Sequence, residues 1–279
     1  MRFAENTGFA AALMSDHVAV TPDVAELYPP PFYDSLTTLA WMAGITERIQ
    51  LGTTVTVLPL RNPLSTARVT ANIDQFSGGR FIFGVGVGWS TKEYAALGIP
   101  FERRGAITDD YLAAIKKLWT ATATSHDGEF VSFRDVRTGP NPSQRPHPPI
   151  WVGGSSPRAI RRAARLGDAW HPINEPIDWL RTKGLDALQR EADSAGRSVP
   201  DLCPRIRLRL TDTALDESDR RVGEGTADQV LGDLEELATL GAAYVVLDTN
   251  PDHPSQRRPP SVDWRMLETM VSKARHLTG

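Results

Sequence analysis

Apolar residues follow one another along the chain in two alternating rhythms. Continuous or period-two apolar runs at 10–18, 49–58, 81–88, 149–154, 168–170, 205–211 and 243–249 predict strands bounded by Gly, Pro, Ser or Asp. Between them, apolar positions recur every three or four residues and predict helices at 32–46, 64–76, 106–121, 156–167, 176–195, 226–240 and 261–277. In 106–121, Ile107, Tyr111, Ile115 and Leu118 form one stripe. In 156–167, Ala159, Ile160, Ala163 and Ala164 face inward, while Arg158, Arg161, Arg162 and Arg165 take the other side. Pro63 opens the helix at 64–76 and "SGGR" (77–80) closes it. Strands joined by crossover helices imply a parallel sheet in an α/β fold. Polar residues and glycines gather where these strands end, at Asp16, His17, Thr54, Gly86, Gly88, Gly153 and Gly154. Their spread over many strand ends favours a (β/α)-barrel with its site on that rim, against a doubly wound open sheet.

The pattern lapses between 122 and 149. "HDGEFVSFRDV" suggests a hairpin there, and "GPNPSQRPHPP" a proline-rich loop. An interruption of that length predicts a functional element, a lid or a pocket wall. Residues 1–279 thus read as one barrel domain carrying an insertion at about 122–149. The chain is 41% hydrophobic and 23% charged with a formal net charge of -3, an ordinary globular composition with no call for nucleic acid or an anionic membrane. No run approaches about 18 apolar residues, so no membrane-spanning helix is expected. The opening "MRFAENTGFAAALMSDHV" has too short and broken an apolar stretch for a signal peptide. The single cysteine, Cys203, excludes an internal disulfide and fits a cytoplasmic protein. Six histidines without ligand spacing, and that one thiol, predict no metal site.

Three stretches carry candidate chemistry. "MSDHV" places Asp16 and His17 at a strand end, where an imidazole can transfer protons near neutral pH. The plain alternative is a loop histidine without a role. "FIFGVGVGWSTKE" (81–93) has glycines on alternate positions, which a strand tolerates when something large approaches its backbone. The third glycine comes one place too early for a dinucleotide fingerprint. The expectation is a flat ring or its tail against Gly86 and Gly88, with Glu93 on the following helical turn. The alternative is tight strand packing with Glu93 solvated. "WVGGSSPRAIRR" stops a buried strand at Gly153-Gly154 and opens a helix at Pro157. Free N–H groups at that junction, with Ser155, Ser156 and Arg158, suit a phosphate, although Ser155 or Ser156 as a plain helix cap is the competing reading.

Taken together, "SDH", "GTTV", "RNP", "SGGRFIFGVGVGWSTKEYAALGIPFERR" and "PPIWVGGSSPRAIRRAARLGDAWHP" resemble, in this order, the luciferase-like monooxygenases. The resemblance is strong over about residues 1–180 and extends to the coenzyme F420 (deazaflavin)-dependent oxidoreductases of actinobacterial type. It implies a TIM (β/α)8 barrel with a ring cofactor at the rim, a small-molecule substrate and a homodimer. It further implies His17, Glu93 and Asp16 as catalytic residues, with Asp16 fixing His17 or bonding the ring. Thr54 and Val55 match the position that often carries a non-prolyl cis peptide under the ring. Gly86, Gly88, Gly153, Gly154, Ser155, Ser156 and Arg158 match cofactor-binding positions. One departure is Val18-Ala19-Val20-Thr21, where some deazaflavin dehydrogenases have a tryptophan, which argues against carrying over their sugar-phosphate substrate. FMN in a monooxygenase is the alternative cofactor, with Arg61, Lys92, Arg158 and Arg162 available to an acidic tail in either case. A cofactor-binding protein without turnover is the third reading. Trp89, Trp170 and Phe130 are expected as pocket walls. Family chains open with a strand and a helix ending in "A-E-x-x-G-F". Here "FAENTGF" (3–9) stands almost at the start, so the expectation is a barrel lacking its first strand, with Met1 in or near a short helix and edges at 10–18 and 243–249.

Overall fold

The computed structural model describes residues 2–251 and 253–277, and the chain divides into two units after Gly153. The first unit runs α1 (Arg2–Thr7), β1 (Ala11–Met14), α2 (Pro22–Leu27), α3 (Ser35–Ala43), β2 (Gln50–Thr53), β3 (Thr56–Val57), α4 (Pro63–Phe76), β4 (Phe81–Gly86), α5 (Thr91–Ala96), α6 (Arg104–Thr120), β5 (Ala123–Asp127), β6 (Ser132–Arg137) and β7 (Ile150–Gly153). Its sheet is parallel in the order β1-β2-β4-β7, with β3 also on β4. β4 is buried along its whole length. Phe83 meets Trp119 of α6 edge-on at 5.4 Å, and the Trp119 indole N–H donates to the Ala67 carbonyl of α4 at 2.9 Å. One aromatic thus joins the sheet to two helices, and its polar edge is satisfied as burial requires.

The alternate glycines of β4 have a local cause. A Cβ on Gly84 would lie 1.8 Å from the Thr53 carbonyl oxygen. One on Gly86 would lie 2.3 Å from Val55 Cγ2, and one on Gly88 2.5 Å from Val57 Cγ1. The β2–β3 segment therefore presses its own backbone and side chains against β4. Close strand packing, the alternative reading of these glycines, thus accounts for the missing side chains at Gly86 and Gly88 through Val55 and Val57. The strand expected at 49–58 is broken at Thr54–Val55, a cis peptide bond.

The insertion is the antiparallel hairpin β5–β6 followed by the proline-rich loop. Asp110 of α6 accepts from the N–H groups of Phe130 and Val131 at 2.7 and 3.1 Å and pairs with His126 Nε2 at 2.6 Å. Asp74 of α4, fully buried, accepts from the N–H groups of Ser143 and Gln144 and from the Gln144 amide. These carboxylates tie the segment to α4 and α6.

The second unit runs α7 (Pro157–Leu166), β8 (Ala169–His171), α8 (Ile177–Trp179), α9 (Leu185–Ser194), β9 (Asp201–Leu202), β10 (Arg205–Arg207), β11 (Arg209–Leu210), β12 (Glu224–Gly225), α10 (Ala227–Thr239), β13 (Val246–Asp248) and α11 (Pro260–Lys273). β8 pairs with β9, β10 with β13 and β11 with β12, all parallel. A buried ion pair, Arg205 to Asp248 at 2.6 Å, links β10 to β13. The strand expected at 205–211 is split at Leu208. Elements as short as α1, α2, α5, β9 and β12 carry too little period to be read from the sequence.

Of the expectations at the chain's start, Met1 lies outside the described residues. Residues 2–7 are helical, and β1 has β2 as its one ladder partner among the described residues. Glu5 of α1 accepts from the N–H groups of Glu47, Arg48 and Ile49 at 2.9, 2.7 and 3.0 Å. The backbone bonds from Arg48 and Ile49 hold its carboxyl down at about 2.

Two stability predictions follow from this packing. Gly84→Ala lowers stability by about 1–3 kcal/mol or more in urea titration, because a carbonyl cannot give way. Gly44→Ala, whose Cβ would meet nothing nearer than 3.5 Å, changes little. A depressed carboxylate stabilises above its ordinary value and loses that effect as pH falls through the folded value. The Glu5 contribution is therefore intact above pH 4.5 and fades toward pH 2. Glu5→Gln removes that acid limb from the stability profile.

Candidate functional site

β1 ends at Met14, whose carbonyl accepts from the Thr54 N–H at 2.8 Å. The next residues turn two side chains into the first unit. Asp16 is buried and meets four donors. Oδ1 accepts from Arg61 Nη2 at 2.6 Å and from the Ser35 hydroxyl at 2.8 Å, and Oδ2 from Arg61 Nε at 2.9 Å and the Val57 N–H at 3.1 Å. Arg61 Nη2 also donates to Asp34 at 2.6 Å. Burial opposes the charge on Arg61, but Asp16 and Asp34 outweigh it and raise its pKa. Arg61 is thereby committed, which corrects its expected availability to an acidic tail.

His17 stands next to this anchor, 8% exposed, with Nδ1 2.8 Å from Glu93 Oε2. Glu93 Oε1 accepts from the N–H groups of Val18 and Ala19 at 2.6 and 3.0 Å. Burial pushes the Glu93 carboxyl up, but the hydrogen bonds from His17, Ala19 and Val18 prevail and hold it below its ordinary value. An ionised Glu93 takes the Nδ1 proton as a hydrogen bond, which leaves Nε2 as the ring's free nitrogen. Nε2 has no hydrogen-bond partner among the described residues. The expected Asp16–His17 contact is replaced: Glu93 orients the imidazole, because Asp16 is saturated by Arg61, Ser35 and Val57.

Glu93 is placed by α5. Ser90 caps that helix, accepting from the Glu93 N–H at 3.0 Å and donating to Asp23 at 2.6 Å. Thr21 donates to the other Asp23 oxygen at 2.7 Å. These two hydroxyls hold Asp23 below the ordinary carboxylate range. Around His17 stand Tyr28, Phe32 and Trp89, with ring centroids at 5.5, 5.6 and 5.8 Å. Tyr28 and Phe32 were missed in the sequence reading, although aromatics interleaved with prolines in "LYPPPFY" (27–33) were a usable signal.

Asp16, His17, Glu93 and Thr54 thus come together, with Val55 beyond Thr54 packed over Gly86 and Gly153. Of the expected walls, Trp89 borders His17. Phe130 sits in the hairpin under the Arg103 guanidinium, and Trp170 is fully buried with its indole N–H on the Gly154 carbonyl.

In the second unit Gly154 has φ +102, a conformation glycine permits, and its N–H bonds the His171 carbonyl at 3.3 Å. That N–H is no anion donor, which corrects one member of the expected phosphate loop. Ser156 caps α7 by accepting from the Ala159 N–H at 3.2 Å. The N–H groups of Ser155 and Ser156, with the exposed Arg158, remain as a donor set whose chemistry fits a phosphate. Among the described residues no His, Cys, Asp and Glu cluster could hold a metal ion, and no helix is long and apolar enough to cross a membrane.

The model of the family described as luciferase-like monooxygenase matches residues 1–220. An uncharacterised protein of Mycobacterium tuberculosis is 30% identical over 268 residues, covering 88% of this chain and 93% of its own. The FMNH2-dependent dimethylsulfone monooxygenase of Pseudomonas putida is 31% identical over 170 residues, 60% of this chain and 46% of that protein. The solved structure of an F420-dependent secondary alcohol dehydrogenase with an F420-acetone adduct superposes with a TM-score of 0.80 at 15% identity, over 98% of this chain and 92% of its own. At that identity the likeness shows the fold, the α/β fold of luciferase-like TIM-barrel structures.

Removing one partner of a buried ion pair leaves a charge without compensation. Arg61→Met is expected to destabilise the protein by about 3–5 kcal/mol in chemical denaturation. Adding Asp16→Asn should recover part of the loss.

Proposed function

The chain belongs to the luciferase-like monooxygenase family, and on that footing we propose that it is a coenzyme F420-dependent oxidoreductase moving a hydride between the deazaflavin and a small organic substrate. The observation that carries this reading is the His17–Glu93 dyad, a buried imidazole with one nitrogen fixed and the other left for a proton. Oxidation of an alcohol carbon releases a hydride and the hydroxyl proton together, and reduction of a carbonyl needs both back. A bound deazaflavin supplies the hydride acceptor or donor. His17 Nε2 takes the hydroxyl proton in one direction and returns it to the carbonyl oxygen in the other. Glu93 keeps the proton of His17 on Nδ1 and stabilises the imidazolium that forms. Asp16 acts at one remove, holding the backbone that carries His17. The imidazole is 8% exposed beside Tyr28, Phe32 and Trp89, which limits water around the proton-transfer path. Within its own unit, the head of α7 offers Ser155, Ser156 and Arg158 to a phosphate.

The relative that is named FMNH2-dependent supports a second reading, an FMN monooxygenase on the same scaffold. The intact dyad speaks against a protein that binds without turnover. Titration of the purified protein with F420 and with FMN separates these readings, by deazaflavin fluorescence quenching or by FMN retention. His17→Ala should lower turnover about 10²–10⁴-fold while cofactor affinity is kept. Undiminished turnover in that variant would remove His17 from the chemistry.

A further inference from the structure

The ring of groups around His17 also bears on what reacts there. Four carboxylates, Asp16, Asp23, Asp34 and Glu93, stand in this part of the first unit against one guanidinium, Arg61. That guanidinium is already divided between Asp16 and Asp34. Lys92, one residue before Glu93, is exposed. The two N–H groups beside the imidazole, those of Val18 and Ala19, are taken by Glu93. A phosphate or carboxylate placed at Nε2 would meet a lone pair rather than an N–H while the proton sits on Nδ1, together with a surplus of negative charge. Anion sites are built the other way, with several converging donors and a net positive field.

The walls agree with the charges. Phe32 and Trp89 present edges to the imidazole at interplanar angles of 65° and 85°, and Tyr28 lies tilted at 37°. Tyr28 and Phe32 meet each other at 5.9 Å. Trp89 remains 45% exposed beside this buried dyad, and Val18 and Val20, at 39% and 37%, follow His17 in sequence. Large apolar side chains left open next to a buried, chemically competent nitrogen mark a surface that a ligand covers.

We infer that the part of the substrate reacting beside His17 is uncharged and apolar, and that Tyr28, Phe32 and Trp89 select it. This rests on the oxidoreductase reading for the word "reacting", but not for the binding preference itself. The matching ligand class is a neutral alcohol or carbonyl compound carrying a flat or bulky hydrocarbon group. A phosphorylated or carboxylated reacting end is excluded.

Ligand-observed NMR with the matched probes benzyl alcohol and benzyl phosphate tests this on the full chain, loaded with whichever of F420 and FMN it retains. Benzyl alcohol should bind at least about tenfold more tightly than its phosphate. Trp89→Ala should weaken the alcohol by about three- to tenfold, and Trp89→Phe should restore it. Tyr28→Ala provides an independent check, should one variant fold poorly. Equal or tighter binding of the phosphate that Trp89→Ala weakens, and that therefore lies beside His17 rather than at the head of α7, would overturn the inference. So would absence of binding by either probe, or alcohol binding indifferent to both alanine variants. If neither F420 nor FMN is retained, the oxidoreductase reading fails on its own, while the ratio of the two probes is still read on the protein alone.

Discussion

A carboxylate with all its partners inside the protein governs this site. Asp16 lies two residues past the end of β1, where the chain leaves the sheet and could turn many ways. Its four hydrogen bonds reach α3 through Ser35, the end of β3 through the Val57 N–H, and Arg61 beyond it. A buried carboxylate tolerates no vacancy among its donors, since each unmet bond in a medium of low polarity is a large loss. The backbone at residue 16 therefore has one place to be, and the imidazole one residue later inherits that position.

Glu93 approaches the same point from the opposite side by a different route. β4 can lie under β2–β3 only because its alternate residues lack side chains, so Thr53, Val55 and Val57 come within contact of its backbone. Where β4 ends, the chain has room for one short helix, and Ser90 sets its first turn. Six residues make a helix too short to stand on its own propensity. The cap, the Asp23–Ser90–Thr21 hydroxyl network and the burial of Glu93 and Tyr94 hold it. Close strand packing and a proton-transfer dyad are thus two ends of one arrangement.

The electrostatics of the site divide the labour between its acids. Asp16 is matched to a permanent cation and its hydrogen bonds are complete, so it serves as an anchor. Glu93 is matched to a group that gains and loses a proton, so its partner's charge can change during a reaction while its own stays fixed. Both are buried carboxylates within a short stretch of structure, and the difference between them is the identity of the nearest base. This is how neighbouring acids come to have separate roles.

The alternation of apolar periods was enough to read the α/β class, the parallel sheet and nearly every long helix, because an amphipathic stripe is a local property of ten or more residues. The motifs around Asp16-His17, the glycine-rich strand and Gly153-Gly154 were equally legible, since each departs from what a plain strand would tolerate. Residue types at strand ends also narrowed the chemistry to proton transfer and anion binding. Tertiary structure decided which of these groups meet. Glu93 and His17 are 76 positions apart, and nothing local distinguishes a carboxylate that will orient an imidazole from one that will face water. The same holds for Arg61, which meets Asp16 across 45 positions of chain, and for the glycines of β4, which make way for the protein's own valines. Periodicity reports how a segment buries itself; partnership between distant polar groups is set by the few ångströms that only the packed chain defines.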